Sequence, residues 1–250
     1  MTPGYIAKHT HENLTKNFKG LDDESVAVAL EAIIGLFRLL HGRDAFIKQA
    51  EKLLADRLLN KLSISHEHEE LLLQKLKVEC GAQQLNKMTQ MIMDMELSQQ
   101  INAEYREHQQ VSNTQRAIED LSISVLQGGT WPNMDDKAAR LPSAMRTAMD
   151  RFTAWYKNKN QNRQMTWSFL HGSVEIQTGF AQKRFTFVVN CYQAAILDLF
   201  NEKDQYSSGE IMETVQVPKE AYENAMKQLC NPKYKLLMKN PNKPVFKNED

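Results

Sequence analysis

The chain has 250 residues, 42% of them apolar and 25% charged, with 31 basic side chains against 31 acidic ones and a formal net charge of +0. That is ordinary globular composition, and balanced charge supplies no long-range field to gather nucleic acid or an anionic membrane. The length suits one large domain or two to three small ones.

The first half reads as helix after helix. Residues 1–21 are expected to be poorly structured or to hold a partial helix. Asp22 and Asp23 stand at an N-cap position ahead of Val26, Leu30, Ile33, Ile34, Phe37 and Leu40, which recur at helical spacing. Glu31 and Arg38 interrupt that stretch, so it is no membrane span. Asp44 is placed to cap a second helix with Phe46, Ile47, Ala50, Leu53, Leu54 and Leu58 on its apolar face. Ser65 caps a third, where Leu72, Leu73, Leu76 and Cys80 are buried and Gly81 is the stop. Leu85, Met88, Met91, Ile92 and Met95 form a fourth stripe, with Met93 falling off it, and Ser98–Gln110 a polar fifth helix. Short connections between amphipathic helices predict an antiparallel bundle over residues 22–110.

Residues 111–119 lose the apolar period and read as a linker. Leu121, Ile123 and Val125 then alternate with Ser122 and Ser124 as a strand, broken at Gly128-Gly129-Thr130-Trp131-Pro132. A helix opening near Pro142 buries Met145, Ala148, Met149, Phe152, Trp155 and Tyr156. Three runs of period two follow. Met165, Trp167 and Phe169 lie in the first, Val174 and Ile176 in the second, and Phe185, Phe187 and Val189 in the third. The breaks at His171-Gly172 and Ala181-Gln182-Lys183 have hairpin length, so these strands are expected to pair antiparallel. Helices over Tyr192–Phe200, Ser207–Thr214 and Pro218–Cys230, with a candidate strand at Lys235–Met238, open a winged helix. The expected class is therefore α+β: an antiparallel helical bundle, a small mainly antiparallel α/β sheet domain over 120–191, and a winged-helix-like segment over 192–250 that stops short.

Asp44-Ala-Phe46, Leu54-Ala-Asp-Arg-Leu-Leu59, Ser63, Lys75-Leu-Lys77, Glu79-Cys-Gly81, Asp94-Met95 and Ser98 resemble the pattern of the cullin family in order and spacing. So do Val125-Leu126, Thr130-Trp131-Pro132, Leu141-Pro142, Phe152-Thr-Ala-Trp-Tyr156, Thr166-Trp167, Gly172, Tyr192-Gln193, Ile196-Leu197 and Phe200-Asn201. The likeness runs from about Asp22 to Met238. It implies a non-catalytic scaffold of a RING-type ubiquitin ligase, acting in ubiquitin-dependent protein degradation. A small zinc-bearing RING protein would dock by adding a strand to the α/β sheet, and that partner would recruit a ubiquitin-conjugating enzyme. The residues expected to receive it are Leu121, Ile123, Val125, Leu126, Trp131, Met165, Trp167, Phe169, Val174 and Ile176. Family members also carry N-terminal repeats for substrate adaptors and a second winged helix whose lysine accepts a ubiquitin-like modifier. No residues here match either, and Ala50 and Asp56 replace a usual aromatic and a usual basic residue. A fragment, a split gene product or a reduced paralogue is expected.

No other chemistry is expected. His66 and His68, two apart, point about 200° from each other on a helix, unlike the shared face of a zinc HExxH pair. They read as solvated helix-start residues, His9 and His11 show no ligand spacing, and neither metal nor cofactor is expected. Cys80, Cys191 and Cys230 form no CxxC pair, and Cys80 and Cys191 lie in apolar stripes as buried thiols. The odd cysteine count and the lack of a signal-like segment after Met1 point to a reduced compartment, cytoplasmic and/or nuclear. The alternative function, a winged-helix nucleic-acid binder, has only Lys219 and Lys227 on its recognition helix, against Glu220 and Glu223.

Overall fold

The computed structural model describes residues 2–111, 120–132, 139–178, 185–233 and 236–240. It divides into two compact units, Met1–Ser112 with Ser122–Asn133, and Asn113–Leu121 with Met134–Asp250.

The first unit is helical. Helix α1 (Pro3–Glu12) starts with proline in its first turn, and a π-helical turn over Asn13–Asn17 continues it, so residues 1–21 hold more helix than their composition suggested. Helix α2 (Asp23–Arg38) is capped by Asp22, whose carboxylate accepts from Ser25 N at 2.8 Å. Helix α3 (Arg43–Leu59) has Gly42 at its N-cap; Asp44 lies inside the first turn, where it favours the positive helix end without capping it. Phe37 of α2 and Phe46 of α3 pack with ring centroids 5.1 Å apart, both fully buried. Helix α4 (His66–Cys80) is capped by Ser65 and ends at Gly81, whose φ of 83° is a conformation that disfavours any side chain.

Helix α5 runs unbroken from Asn86 to Val111, 26 residues where two shorter helices were expected. The apparent break came from Asp94, Ser98 and Asn102, polar residues on its buried face. Met93 is exposed, as its position off the stripe required.

In the second unit, α6 (Ser143–Lys159) buries Ala148, Phe152 and Tyr156. Strands β1 (Ser173–Thr178) and β2 (Phe185–Asn190) pair antiparallel, with Val174 opposite Val189 and Ile176 opposite Phe187. Helices α7 (Cys191–Leu199), α8 (Ser208–Val215) and α9 (Lys219–Leu229) close over a core of Tyr192, Ile196, Ile211, Val215, Tyr222 and Leu229. Asn190 and Gln193 form a capping box on α7, and Ser207 and Glu210 one on α8, each satisfying two helix-end N–H groups reciprocally.

Several expectations are corrected. The sheet among the described residues has two strands; 121–127 and 165–169 make no main-chain ladder. The expected turn at Ala181–Lys183, the linker expected at 111–119 except Val111, which ends α5, and residues 241–250 of the winged-helix-like segment lie outside the described residues. Leu236 and Leu237 form no strand: they turn back onto α9, with Leu237 N donating to Leu229 O at 3.1 Å. The boundary drawn at 119/120 also moves, because Ser122–Asn133 belongs to the helical unit. No break falls at 191/192 either, since Val174 and Phe169 pack on the same core as α7–α9.

Candidate partner-docking site

Asp94, Ser98 and Asn102 recur every four residues on α5, a rise of about 6.0 Å per step. An extended chain covers about 6.6 Å in two residues. The two periods nearly coincide, so one helix face can serve alternate residues of a strand running beside it. Here it does. Asn102 Nδ2 donates to Ile123 O at 2.7 Å while Ile123 N donates to Asn102 Oδ1 at 2.9 Å. A carboxamide offers the same donor and acceptor as a peptide group, so Asn102 replaces one residue of a neighbouring strand. Val125 N donates to Ser98 Oγ at 2.8 Å. The hydroxyl's single hydrogen goes to the closer carbonyl, Asp94 O at 2.6 Å, rather than Val125 O at 3.2 Å. Gln127 N donates to Asp94 Oδ2 at 2.8 Å, and Trp131 Nε1 donates to the same oxygen at 2.7 Å. Gln90 Nε2 occupies the other carboxylate oxygen at 2.8 Å.

Neighbouring residues of a strand aim their main-chain groups at opposite edges. Ile123, Val125 and Gln127 face α5, which leaves the N–H and C=O of Ser122, Ser124 and Leu126 on the other edge. Within the described residues no hydrogen bond engages them. Ser122 and Ser124 are exposed and Leu126 is half-buried.

The ten residues expected at the docking site fall into both units. In the first, Ile123 and Trp131 are buried by this chain's own groups and Val125 is half-buried. In the second, Leu121 and Met165 are half-buried. Trp167 Nε1 donates to Thr153 Oγ1 at 3.2 Å, and its ring meets Phe152 edge-on. Phe169 and Val174 pack on the α7–α9 core, and Ile176 lies opposite Phe187 on the half-buried sheet face. The helix residues that hold the segment, Asp94, Ser98 and Asn102, were not among the ten. Their signal was present: polar residues at i, i+4 and i+8 in step with a period-two run.

Other titratable clusters are structural. Arg57 and Glu69, each 2% exposed, pair through Nε–Oε1 at 2.6 Å and Nη2–Oε2 at 2.8 Å, and Ser63 Oγ adds 2.6 Å to Oε1. Glu69 is thus buried in the first turn of α4, and His68, expected as a solvated helix-start residue, is half-buried with its ring edge-on to Phe18. On the surface, Glu31 accepts from Lys75 at 2.8 Å and Glu79 from Arg38 at 2.7 Å, tying α2 to α4. Those hydrogen bonds hold both carboxyls below their ordinary range. Among the described residues, one ligand atom each of His66, Glu70 and Glu96 lies within 4.8 Å of the others, and His66 Nε2 is hydrogen-bonded to Glu96 Oε1 at 2.9 Å on the surface. Burial raises the Cys80 and Cys230 thiols, which removes the thiolate a nucleophile needs.

Two domain descriptions match this chain: the cullin alpha solenoid domain over residues 1–102 and the cullin alpha+beta domain over residues 125–250. The chain belongs to the cullin family. It is 33% identical over 237 residues to Cullin-3 of Dictyostelium discoideum, covering 94% of this chain and 31% of that protein. Against Cullin-4A of Homo sapiens it is 33% identical over 236 residues, with 94% and 31% covered. Against Cullin-1 of Oryza sativa subsp. japonica it is 32% identical over 222 residues, with 89% and 30% covered. The chain thus spans under a third of the length of these cullins. The solenoid match ends at Asn102 and the alpha+beta match begins at Val125, so the helix-backed segment straddles the start of the alpha+beta match.

Proposed function

We propose that this chain is a non-catalytic scaffold segment of a ubiquitin ligase, capturing a small zinc-bearing RING protein that recruits a ubiquitin-conjugating enzyme for protein degradation. Cullin membership is the ground for the partner class. The single observation that favours strand addition is the edge of Ser122, Ser124 and Leu126, unpaired among the described residues while the opposite edge is filled by α5. A RING protein's extended segment would complete that edge with main-chain hydrogen bonds, and alternate side chains would select it. The scaffold's contribution is proximity: holding donor and acceptor together raises their effective concentration without acyl transfer by this chain. The site of action fitting this role is the cytoplasm and/or nucleus.

The decisive measurement is a pull-down of the full chain with a purified small RING protein, with and without that protein's N-terminal strand. Capture that depends on the strand, and falls about tenfold in Ser124→Pro, is expected because proline removes an outward N–H. Equal capture of both RING forms would overturn strand addition, and no capture of either would overturn the scaffold assignment. A nucleic-acid role has little support: Lys219, Lys227 and Glu220 are all exposed on α9, a mixed face rather than the basic stripe that phosphates require.

A further inference from the structure

The side-chain ladder on α5 has a consequence for how a strand is received. An edge strand in a sheet is held straight by a neighbouring strand, whereas Ile123–Gln127 has no such neighbour among the described residues. Its inner edge is held by Asn102, Ser98 and Asp94. Helix α5 is 26 residues of continuous hydrogen-bonded backbone, far stiffer than a lone extended segment. Asn102 is fixed in turn by its second Nδ2 hydrogen, given to Ser98 O at 2.6 Å, and Asp94 by Gln90 and Trp131. Every polar atom of the template is therefore itself oriented, and the template fixes which residues face outward.

We propose that Asp94, Ser98 and Asn102 are positioning residues for strand capture: they hold the acceptor segment extended so that Ser122, Ser124 and Leu126 meet an incoming main chain already in register. This rests on the scaffold reading above and adds to it the origin of the acceptor's order. Pre-set backbone conformation removes an ordering cost that binding would otherwise carry, and that gain appears as affinity. The partner needs no particular side chain opposite α5, because α5 acts through the acceptor and not on the ligand. The ladder also assigns opposite roles to neighbouring N–H groups: Val125 N is spent on Ser98, while Ser124 N faces the partner.

The test pairs capture with amide exchange in the full chain, using the same purified RING protein as probe. Asn102→Leu keeps the side chain's size and removes both rungs to Ile123; about tenfold weaker capture is expected, with faster exchange at Ile123 and Val125. Ser98→Ala deletes one oxygen and covers the case in which Asn102→Leu fails to fold; a several-fold loss is expected. Ser98→Thr, which keeps the hydroxyl, should restore capture to within about twofold, a rescue that general loss of stability would not give. Unchanged capture by Asn102→Leu despite lost protection at Ile123 would overturn the positioning role. Unprotected Ile123 and Val125 amides in the unaltered chain would overturn the ladder itself. If the unaltered chain captures nothing while those amides are protected and released by Asn102→Leu, the scaffold reading falls and the ladder stands.

Discussion

The two units bury different kinds of residue. The helical unit places Arg57, Glu69, Asp94, Ser98 and Asn102 inside at 8% exposure or less, each satisfied by a named partner. The second unit's buried polar side chains among the described residues are Gln193 and Ser208, the first completing a helix cap and the second meeting Tyr222 Oη at 2.9 Å. Its core is otherwise apolar, and the paired strands satisfy each other through the main chain. A core of partnered polar groups fails when one partner is removed, because the other is left buried and uncompensated. An apolar core fails when its volume is wrong. The helical unit should accordingly be sensitive to charge and the second unit to size.

The largest expected effect breaks the buried pair. Glu69→Ala leaves the Arg57 guanidinium buried without its carboxylate, and such a loss costs about 3–5 kcal/mol. Urea denaturation, with amide exchange in α3 and α4 locating the loss, measures it. Replacing both partners together, Arg57→Met with Glu69→Leu, should cost far less, since neither charge then remains to be compensated. A single-variant loss below about 1 kcal/mol would put this unit's order in its apolar contacts instead.

Gly172 tests the other half of the comparison. A β-carbon there would run into Cys191 Sγ, which starts α7 directly after β2, while Gly172 N donates to Phe169 O and Gly172 O accepts from Cys191 N. Its φ is unexceptional, so any penalty is steric. Gly172→Ala should cost about 1–3 kcal/mol by overpacking. Cys191→Ala in the same chain should recover part of that loss by clearing the space, a coupling readable in a double-mutant cycle. Additive losses would mean that the contact is relieved elsewhere.

The same division explains what could be read from the residues alone. The caps at Asp22 and Ser65 and the stop at Gly81 act within one turn of chain, and they were legible. The Asp44 cap was not, because Asp, like Ser, suits both the N-cap and the first turn. Period two showed which side chains of 121–127 and 165–169 share a face, but it carries nothing about what the main chain bonds to. A segment backed by helix side chains and a strand in a sheet have the same pattern. The burial of Glu69 was illegible for a related reason: its partner Arg57 is on another helix, and a glutamate in a helix's first turn gives no sign of it. Asp94, Ser98 and Asn102 lay in plain view on a helix that apolar counting rated weak, since that count penalises polar residues on a buried face.

The smallest effect probes the edge of the buried pair through pH. His11 on α1 is half-buried, with Nδ1 3.4 Å from Arg57 Nη1. Burial, and then the Arg57 charge, hold its pKa below 6.5; Asp56 and Glu69 across from it and Glu12 on its own helix pull the other way without prevailing. In the unfolded chain His11 takes up a proton near pH 6.5, while in the folded chain it resists. Below that pH the unfolded state binds more protons, so stability falls as pH drops from 6.5 toward the folded pKa and levels off beneath it. His11→Gln removes this component and keeps a polar group beside Arg57. Denaturation midpoints at about pH 7.5 and about pH 5.5 should therefore lie closer together in His11→Gln than in the unaltered chain. The difference should be smaller than either loss above, because a neutral imidazole is already the folded form at the higher pH. An identical spacing of midpoints in the two chains would mean that His11 is solvated in solution and that the Arg57–Glu69 pair is closed to it.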